Sequence, residues 1–233
     1  MFLKVAVVNN SGNVGKTTLC ETLLKPRLDG AELIKVESIN SDGTDDEKFN
    51  ALEFVDIFKK IDNSDVVIVD IGSSNIEMFT NKLRKFKDSQ EDFDFFIIPV
   101  VPEYKQQIDS LVTIETLMDL NVEPERIRIV FNMIDEMIPF ERQFKEILES
   151  KTYKSLKLKG SPRIPKTELF SHLALIGKRY EEVKNDDRDF RALLRQIEDR
   201  EERMLISEER SIKRLVTGFD ECLDTAFTQL HIN

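Results

Sequence analysis

The chain has 233 residues, of which 40% are hydrophobic and 33% charged, and its net charge is -10. These values indicate a globular protein with room for one α/β domain, and they argue against the uniformly basic surface of a dedicated DNA-binding domain. No apolar run is long enough to span a bilayer, and the apolar start at 2–8 lacks a cleavage site, so we expect a cytoplasmic protein. Cys20 and Cys222 have neither disulfide nor metal-ligand spacing.

Short apolar runs alternate with amphipathic stretches along the first two thirds of the chain. Runs rich in Val, Ile and Phe predict strands at 3–8, 32–36, 65–70, 94–101 and 127–132. The stretches between and after them predict helices at 16–24, 46–61, 74–87, 104–120 and 140–150. Several strands are apolar almost throughout, as in a parallel sheet covered by helices. The alternation predicts an α/β fold with a doubly wound, mostly parallel sheet and helices on both faces.

The remaining third of the chain divides into a basic segment and a helical one. Residues 151–167 predict a loop, with a short edge strand near Leu156 and Leu158 as an option. Helical patterns follow at 168–184 and 188–230. In the second of these, apolar residues recur at spacings of three and four: Ile212, Leu215, Phe219, Leu223, Ala226 and Leu230.

The domain organisation expected from these patterns is simple. We predict one α/β domain over 1–185 and a C-terminal helical extension over 186–233, packed on the same domain.

The first chemical motif is NNSGNVGKTT at 9–18, between an apolar strand and a helix. Its glycines allow backbone turns that point N–H groups at phosphate oxygens, and the following helix adds the positive end of its dipole. Lys16 would reach the β- and γ-phosphates, and the Thr17 hydroxyl would bind Mg²⁺. Asn10 stands where the full motif has its first glycine. The candidate nucleotide-binding residues are Gly12, Asn13, Val14, Gly15, Lys16, Thr17 and Thr18.

The second motif is Asp70, at the end of the apolar run DVVIVD. A carboxylate at the tip of a buried strand requires a partner, and Mg²⁺ beside the loop would supply one. Gly72 follows, where a backbone N–H can approach the γ-phosphate. The alternative is that Asp70 caps a helix starting near Ser74.

The third motif is the polar segment VESINSDG at 36–43, which follows the second strand. Glu37, Asn40 or Asp42 could position a water for attack on the γ-phosphate. Taken alone, the segment is an ordinary polar loop.

Together these motifs resemble the ParA/MinD group of deviant P-loop ATPases and, within it, the StbB-type plasmid stability and partition proteins. The resemblance covers roughly residues 1–180. It implies Mg-ATP binding, slow and partner-stimulated ATP hydrolysis, ATP-dependent dimerisation and a role in distributing plasmid DNA. The segments that carry it are SGNVGKTTL at 11–19, VESINSDG at 36–43, VVIVDIGSS at 66–74, FFIIPVVPE at 95–103 and IRIVFNMID at 127–135.

The resemblance also implies roles for single residues. The family's Walker B aspartate falls on Asp70, and its adenine-contacting asparagine falls on Asn132. A loop near the base matches Pro99 to Pro102, and the switch acid is Glu37 or Asp42. Its phosphate-loop residues fall on Gly12, Gly15, Lys16 and Thr17.

This chain departs from the family pattern at two positions in the loop. The family begins KGG, with a first lysine that reaches the nucleotide of the partner subunit. Ser11 occupies that lysine position here, and Asn13 replaces the second glycine. A trans-acting lysine from this loop is therefore absent.

The segment 151–166 contains six basic and no acidic residues. Such a cluster can contact DNA phosphates without reading sequence, although a solvated lysine-rich loop has the same composition. The plasmid could alternatively be reached through a DNA-binding partner protein.

Two other functions are compatible with the motifs. One is a metabolic ligase of the same fold, similar to dethiobiotin synthetase, although that family normally has Gly at the position of Asn9. The other is a scaffold that binds nucleotide without turning it over.

Overall fold

The computed structural model describes residues 2–36, 54–158 and 160–232, together with the backbone of 47–49. Contacts divide the chain into two compact units. One consists of Met1–Lys166 with Ala226–Asn233, and the other of Thr167–Thr225. The expected organisation, with a domain over 1–185 and an extension over 186–233, stays a prediction.

The first unit contains a parallel sheet. Within the described residues, seven strands form one sheet in the order β3-β2-β4-β1-β5-β6-β7, and each neighbouring pair is parallel. The strands are β1 (Leu3–Val7), β2 (Glu32–Val36), β3 (Glu47–Phe49), β4 (Val66–Ile71), β5 (Phe95–Val100), β6 (Ile127–Ile134) and β7 (Arg163–Pro165). The predicted α/β fold with a doubly wound sheet and helices on both faces is confirmed.

The strands that lie deepest are those with unbroken apolar sequence. All six residues of β4 are buried, as are the last five of β5. In a sheet covered on both faces neither side of a strand meets water, so the alternation of a half-exposed strand is absent. The central strand β1 pairs with β4 on one side and β5 on the other.

Helices of the first unit follow the strands. They are α1 (Lys16–Leu19), continued by a π-helical turn at Cys20–Leu24, α2 (Phe54–Asn63), α3 (Ile76–Lys85), α4 (Tyr104–Asp119), α5 (Phe140–Gln143), α6 (Lys145–Glu149) and α7 (Lys151–Ser155).

The second unit is described as helical. Its helices are α8 (Leu169–Leu175), α9 (Tyr180–Lys184), α10 (Phe190–Gln196) and the greater part of α11 (Arg200–Leu230). Tyr180 packs against Phe219 and donates a 2.8 Å hydrogen bond to Asp220. Arg188 bonds Asp186 at 2.6 Å and lowers the pKa of that carboxyl to about 2.

Two sequence predictions of secondary structure were wrong. The helix predicted at 46–61 begins only at Phe54, because Glu47–Phe49 pairs with β2 as a strand. Pairing with an existing sheet overrides a local helical pattern.

The segment 151–167, predicted as a loop, contains α7 and β7. Ser150 caps α7 by accepting a hydrogen bond from the Tyr153 N–H. The edge strand lies at Arg163–Pro165 and not near Leu156 and Leu158. Pro165 is compatible with this position, because an edge strand tolerates proline.

A cluster of aromatic rings fills the core on one side of the sheet. Phe93 packs against Phe58, Phe79 and Phe96, with ring centroids 5.3–6.1 Å apart. Rings at these separations contribute about 0.5–1.5 kcal/mol per pair beyond the burial of their area.

Among the described residues, no helix combines the length and the apolar character that crossing a membrane requires.

The segment after residue 225 completes the first unit. Leu230 is fully buried and its carbonyl accepts a 2.7 Å hydrogen bond from the Arg128 guanidinium on β6. Ile232 is also buried. A segment distant in sequence thus closes the apolar core of the sheet unit.

We expect Leu230→Ala to destabilise the protein by about 2–5 kcal/mol, because the truncation leaves a cavity at a fully buried site. Chemical unfolding followed by circular dichroism measures the effect. The matched control is Gln229→Ala at the exposed neighbouring position, which should change stability by less than about 0.5 kcal/mol. Equal effects of the two substitutions would contradict the burial of this segment.

Candidate functional site: a phosphate-binding loop

The segment between β1 and α1 lies at the carboxyl edge of the sheet. β1 has β4 on one side and β5 on the other, so the order in which strands are added to the sheet changes direction at β1. Ligands of open α/β sheets bind in the crevice at such a reversal of strand order. A cleft of about 560 Å³ opens here, lined by Gly12, Asn13, Val14, Gly15, Lys16, Thr17, Thr18, Gly72, Ser73, Ser74 and Met133.

The backbone of the loop depends on Gly15. Its φ is +86°, which L side chains rarely adopt, and a Cβ added there would lie 2.5 Å from the Asn132 amide nitrogen. Asn13 also has a positive φ, of 57°. Left-handed residues within a loop turn successive N–H groups to one side, which forms an anion-binding concavity.

Asn9 fixes the start of the loop. Its amide donates to the Pro99 carbonyl at 2.8 Å and to the Ser110 hydroxyl at 2.7 Å. Its side-chain oxygen accepts a 2.8 Å hydrogen bond from the Ser11 N–H. The loop is therefore tied to β5 and α4 through one buried asparagine.

The Lys16 side chain is held inside the loop. Its ammonium donates to the Ser11 carbonyl at 2.8 Å and to the Asn9 carbonyl at 3.2 Å. The side chain is buried, so its ammonium lies among the backbone carbonyls of the loop rather than in bulk water.

Thr17 and Asp70 meet beside the loop. The Thr17 hydroxyl donates a 2.6 Å hydrogen bond to Asp70, whose residue is only 1% exposed. Helix α3 begins at Ile76 with Asn75 at its N-cap, so Asp70 does not cap that helix. The carboxylate instead faces the first turn of α1.

A second pair of charges lies on the same side of the sheet. Lys35 on β2 is the register partner of Asp70, is fully buried, and bonds Glu21 at 2.7 Å. Glu21 lies one helical turn after Thr17. Burial raises the pKa of the neighbouring Cys20 thiol, and the Asp70 and Glu21 carboxylates raise it further.

Asn132, the residue that the family resemblance assigns to adenine, lies against the loop. It is 7% exposed, and its amide donates a 3.0 Å hydrogen bond to the Val14 carbonyl. The neighbouring Met133 lines the cleft. The adenine-reading role of Asn132 stays a prediction.

The other candidate residues are distributed differently. Glu37 and Asp42 lie outside the described residues. In the basic segment 151–166, the Arg163 guanidinium packs 3.6 Å from the centroid of the Phe140 ring, and Lys154 donates to the Glu149 carbonyl. Arg163 lies on the edge strand β7 and Lys154 on α7, and neither side chain lines the cleft.

The donor set fits magnesium and an anionic ligand. A threonine hydroxyl and a carboxylate joined by a 2.6 Å hydrogen bond are hard oxygen ligands of the kind Mg²⁺ prefers. The adjacent loop combines left-handed backbone, a buried lysine and the start of a helix, which suits phosphate.

Sequence reasoning missed three contributors to the site. Asn9 was considered only for the glycine that it replaces, and Lys35 and Met133 were not considered at all. A lysine in an otherwise apolar strand is a signal that could have been noticed. The positive φ of Met133 has no such signal in the sequence.

Comparison with known proteins supports the class of fold. No protein-family model matches the sequence, and no curated protein matches it. Among solved structures, the MinD cell division protein of Aquifex aeolicus is similar, with 14% identity over 93% of this chain and 97% of that chain and a TM-score of 0.51. MinD from Pyrococcus horikoshii, complexed with Mg-ADP, has 14% identity over 94% and 99% of the two chains, with a TM-score of 0.51.

A third similar structure is the MinC:MinD complex of Aquifex aeolicus, with 13% identity over 93% of this chain and 96% of that chain and a TM-score of 0.52. At these identities the likeness concerns the fold. The chain has the P-loop NTPase fold of the MinD/ParA-type ATPases.

We expect Gly15→Ala to destabilise the protein by at least about 1–2 kcal/mol, because the new methyl group meets Asn132 and the left-handed backbone disfavours alanine. Gly30→Ala is the matched control, since Gly30 has a φ of +72° but no atom within 4 Å of its added Cβ. The difference between the two in thermal unfolding isolates the steric contact. Equal destabilisation by the two substitutions would show that the Asn132 side chain moves away from the added methyl group at no cost in stability.

Proposed function

We propose that the protein binds Mg-ATP in the cleft and hydrolyses it slowly, as an ATPase switch. The observation that carries the proposal is the junction of the phosphate-binding loop with the Thr17–Asp70 hydrogen bond. Groups that can donate hydrogen bonds to phosphate lie there beside oxygen ligands for a divalent cation, as phosphoryl transfer requires.

Each residue has a defined task in this proposal. The N–H groups of Gly12–Thr18 bind the phosphates, and the Lys16 ammonium neutralises charge on the β- and γ-phosphates. Thr17 and Asp70 would hold Mg²⁺. When bound, Mg²⁺ would neutralise charge that develops on the phosphates during hydrolysis. Glu37 or Asp42 orients the attacking water.

Adenine specificity is proposed to come from Asn132, as in the family that the sequence resembles. The Asn132 amide also bonds the Val14 carbonyl in the loop. A contact between this amide and the base would therefore depend on the conformation of the loop. ATP rather than GTP is supported by the Mg-ADP bound in the similar Pyrococcus horikoshii protein.

The biological role that we propose is the positioning or stable inheritance of plasmid DNA. It rests on the resemblance of the sequence motifs to those of StbB-type partition proteins. ATP-dependent self-association is part of the proposal, although Ser11 replaces the lysine that reaches across the dimer in the family. Hydrolysis is accordingly expected to be slow until a partner stimulates it.

Two substitutions test the ATPase. Lys16→Ala removes the charge directed at the phosphates, so calorimetric titration should show loss of tight Mg-ATP binding. Asp70→Asn keeps the shape of the side chain but removes its charge, so phosphate release should fall at least about tenfold while binding suffers less. Glu77→Gln, at an exposed position on α3, is the control.

Wild-type affinity in Lys16→Ala, or wild-type turnover in Asp70→Asn, would contradict the assignment. The assay uses ATP alone, because a switch releases phosphate without a small-molecule acceptor whereas a ligase requires one. Binding without any release would leave a nucleotide-binding scaffold.

Direct DNA contact through 151–166 is a separate proposal. The described lysines of the segment, Lys151, Lys154, Lys157 and Lys166, are exposed, the first three on or just after α7. Arg163 packs on the Phe140 ring and Lys154 donates to the Glu149 carbonyl, so these two cations already have partners within the protein.

If about four cations neutralise phosphates, the log–log salt slope for duplex DNA should be about -3 to -4 and independent of sequence. Replacing Lys154, Lys157 and Lys159 with Gln should flatten this slope without affecting ATP binding. Fluorescence anisotropy with and without ATP measures it. Gln substitutions at Lys82, Lys85 and Lys87 are the matched control. Absence of DNA binding at low salt in both states would defeat the proposal and favour a DNA-binding partner protein.

A further inference from the structure

Met133 has an unusual backbone conformation at the edge of the cleft. Its φ is 57°, in the left-handed region, where a side chain without local hydrogen-bonding groups is uncommon. The pairing of β6 with β7 shifts its register between Phe131 and Ile134, which places Met133 within an irregularity of the strand. Irregularities of this kind redirect a side chain and are over-represented beside active sites.

The conformation is imposed from both sides. Asn132 is anchored to the Val14 carbonyl, and the Ile134 carbonyl accepts a 2.9 Å hydrogen bond from the Lys166 N–H. The Phe131 N–H is bonded to the Pro162 carbonyl at 2.9 Å. Strained backbone persists where its surroundings determine it, and such residues cluster at functional sites.

The Met133 side chain is directed at the loop. Its terminal methyl lies 3.8 Å from the position that a Cβ of Gly15 would occupy, and the residue is 37% exposed within the cleft wall. The other apolar residue lining the cleft, Val14, is fully buried. Met133 is thus the accessible apolar side chain among the described residues that line the cleft.

A thioether cannot serve the phosphates. It carries no donor and is only a weak acceptor, whereas its methyl and polarisable sulfur pack well against a flat ring. The order of the strands adds a direction. β4, which carries Asp70, lies on one side of β1, and β6, which carries Met133, lies on the other side beyond β5. The metal ligands and Met133 therefore stand at opposite flanks of the loop.

We propose that Met133 is a nucleoside-contacting residue, held in a strained left-handed backbone so that its thioether packs against the nucleoside part of the bound nucleotide. The proposal rests on nucleotide binding in the cleft. The terminal phosphate and the metal then lie toward β4, and the base and sugar lie toward β6. Replacing Met133 by Ala or by Gly should weaken nucleoside binding alike, because both remove the thioether. The two variants should differ in fold stability, because only glycine adopts a positive φ without strain.

The experiment compares Met133→Ala and Met133→Gly by calorimetric titration with Mg-ATP and with magnesium tripolyphosphate, which lacks the nucleoside. Both variants should bind ATP about two- to tenfold more weakly, the range expected for a sulfur–aromatic contact. Both should bind tripolyphosphate like the wild type. In thermal unfolding without ligand, Met133→Gly should have the higher midpoint, because glycine accepts a positive φ and alanine does not.

Asp88 supplies the matched control, since it is exposed and has a φ of 65° away from the cleft. Asp88→Gly should likewise unfold at a higher temperature than Asp88→Ala, and both should bind ATP like the wild type. Equal loss of ATP and tripolyphosphate affinity in the Met133 variants, or no loss of either, would overturn the inference while leaving nucleotide binding intact. A wild-type protein that binds neither ligand would overturn the proposed function as well.

Discussion

The hydrogen bond from Thr17 to Asp70 joins the helix after the loop to the sheet on which the site depends. Asp70 is the penultimate residue of β4, and Thr17 is the second residue of α1, the helix that follows β1. The bond therefore depends on the observed register between β1 and β4. A slip by one residue would turn Asp70 to the opposite face of the sheet. The register of two apolar strands thus determines whether Thr17 and Asp70 meet.

The same side of the sheet contains an ion pair that is buried at one end only. Lys35 is fully buried, whereas the Glu21 side chain is 41% exposed, so water reaches the carboxylate but not the ammonium. Removing Glu21 is therefore the costlier change, because it takes this carboxylate from a buried ammonium, whereas removing Lys35 leaves a carboxylate that water reaches. Since Glu21 and Thr17 are one turn apart on the helix that follows the loop, the pair also fixes the rotation of that helix relative to β2 and β4.

Sequence could predict the parts of the fold that depend on local apolar pattern. The strands from β1 to β6, apart from β3, follow from runs of Val, Ile and Phe, and the order strand–loop–helix predicts the cleft. The strands β3 and β7 escaped prediction because edge strands are short and exist only through pairing with a neighbour. The loop residues that line the cleft lie where the spacing of the motif places them, between β1 and α1.

The contributions of Asn9, Lys35 and Met133 to the site were not predictable in the same way. Each acts through a partner remote in sequence: Asn9 through Pro99, Lys35 through Glu21 and Met133 through the loop at Gly15. A conformation such as the left-handed backbone of Met133 is enforced by hydrogen bonds from neighbouring strands. No local sequence pattern predicts this conformation.

The first unit is discontinuous in sequence, which has a consequence for synthesis. Residues of the sheet leave the ribosome well before Ala226, because the whole of Thr167–Thr225 comes between them. At about 5–20 residues per second, that interval lasts roughly 3–12 s. During this time the surface later covered by Leu230 and Ile232 is open to solvent and to chaperones, and the Arg128 guanidinium lacks its carbonyl acceptor on Leu230. Completion of the sheet unit is therefore coupled to translation of the helical one.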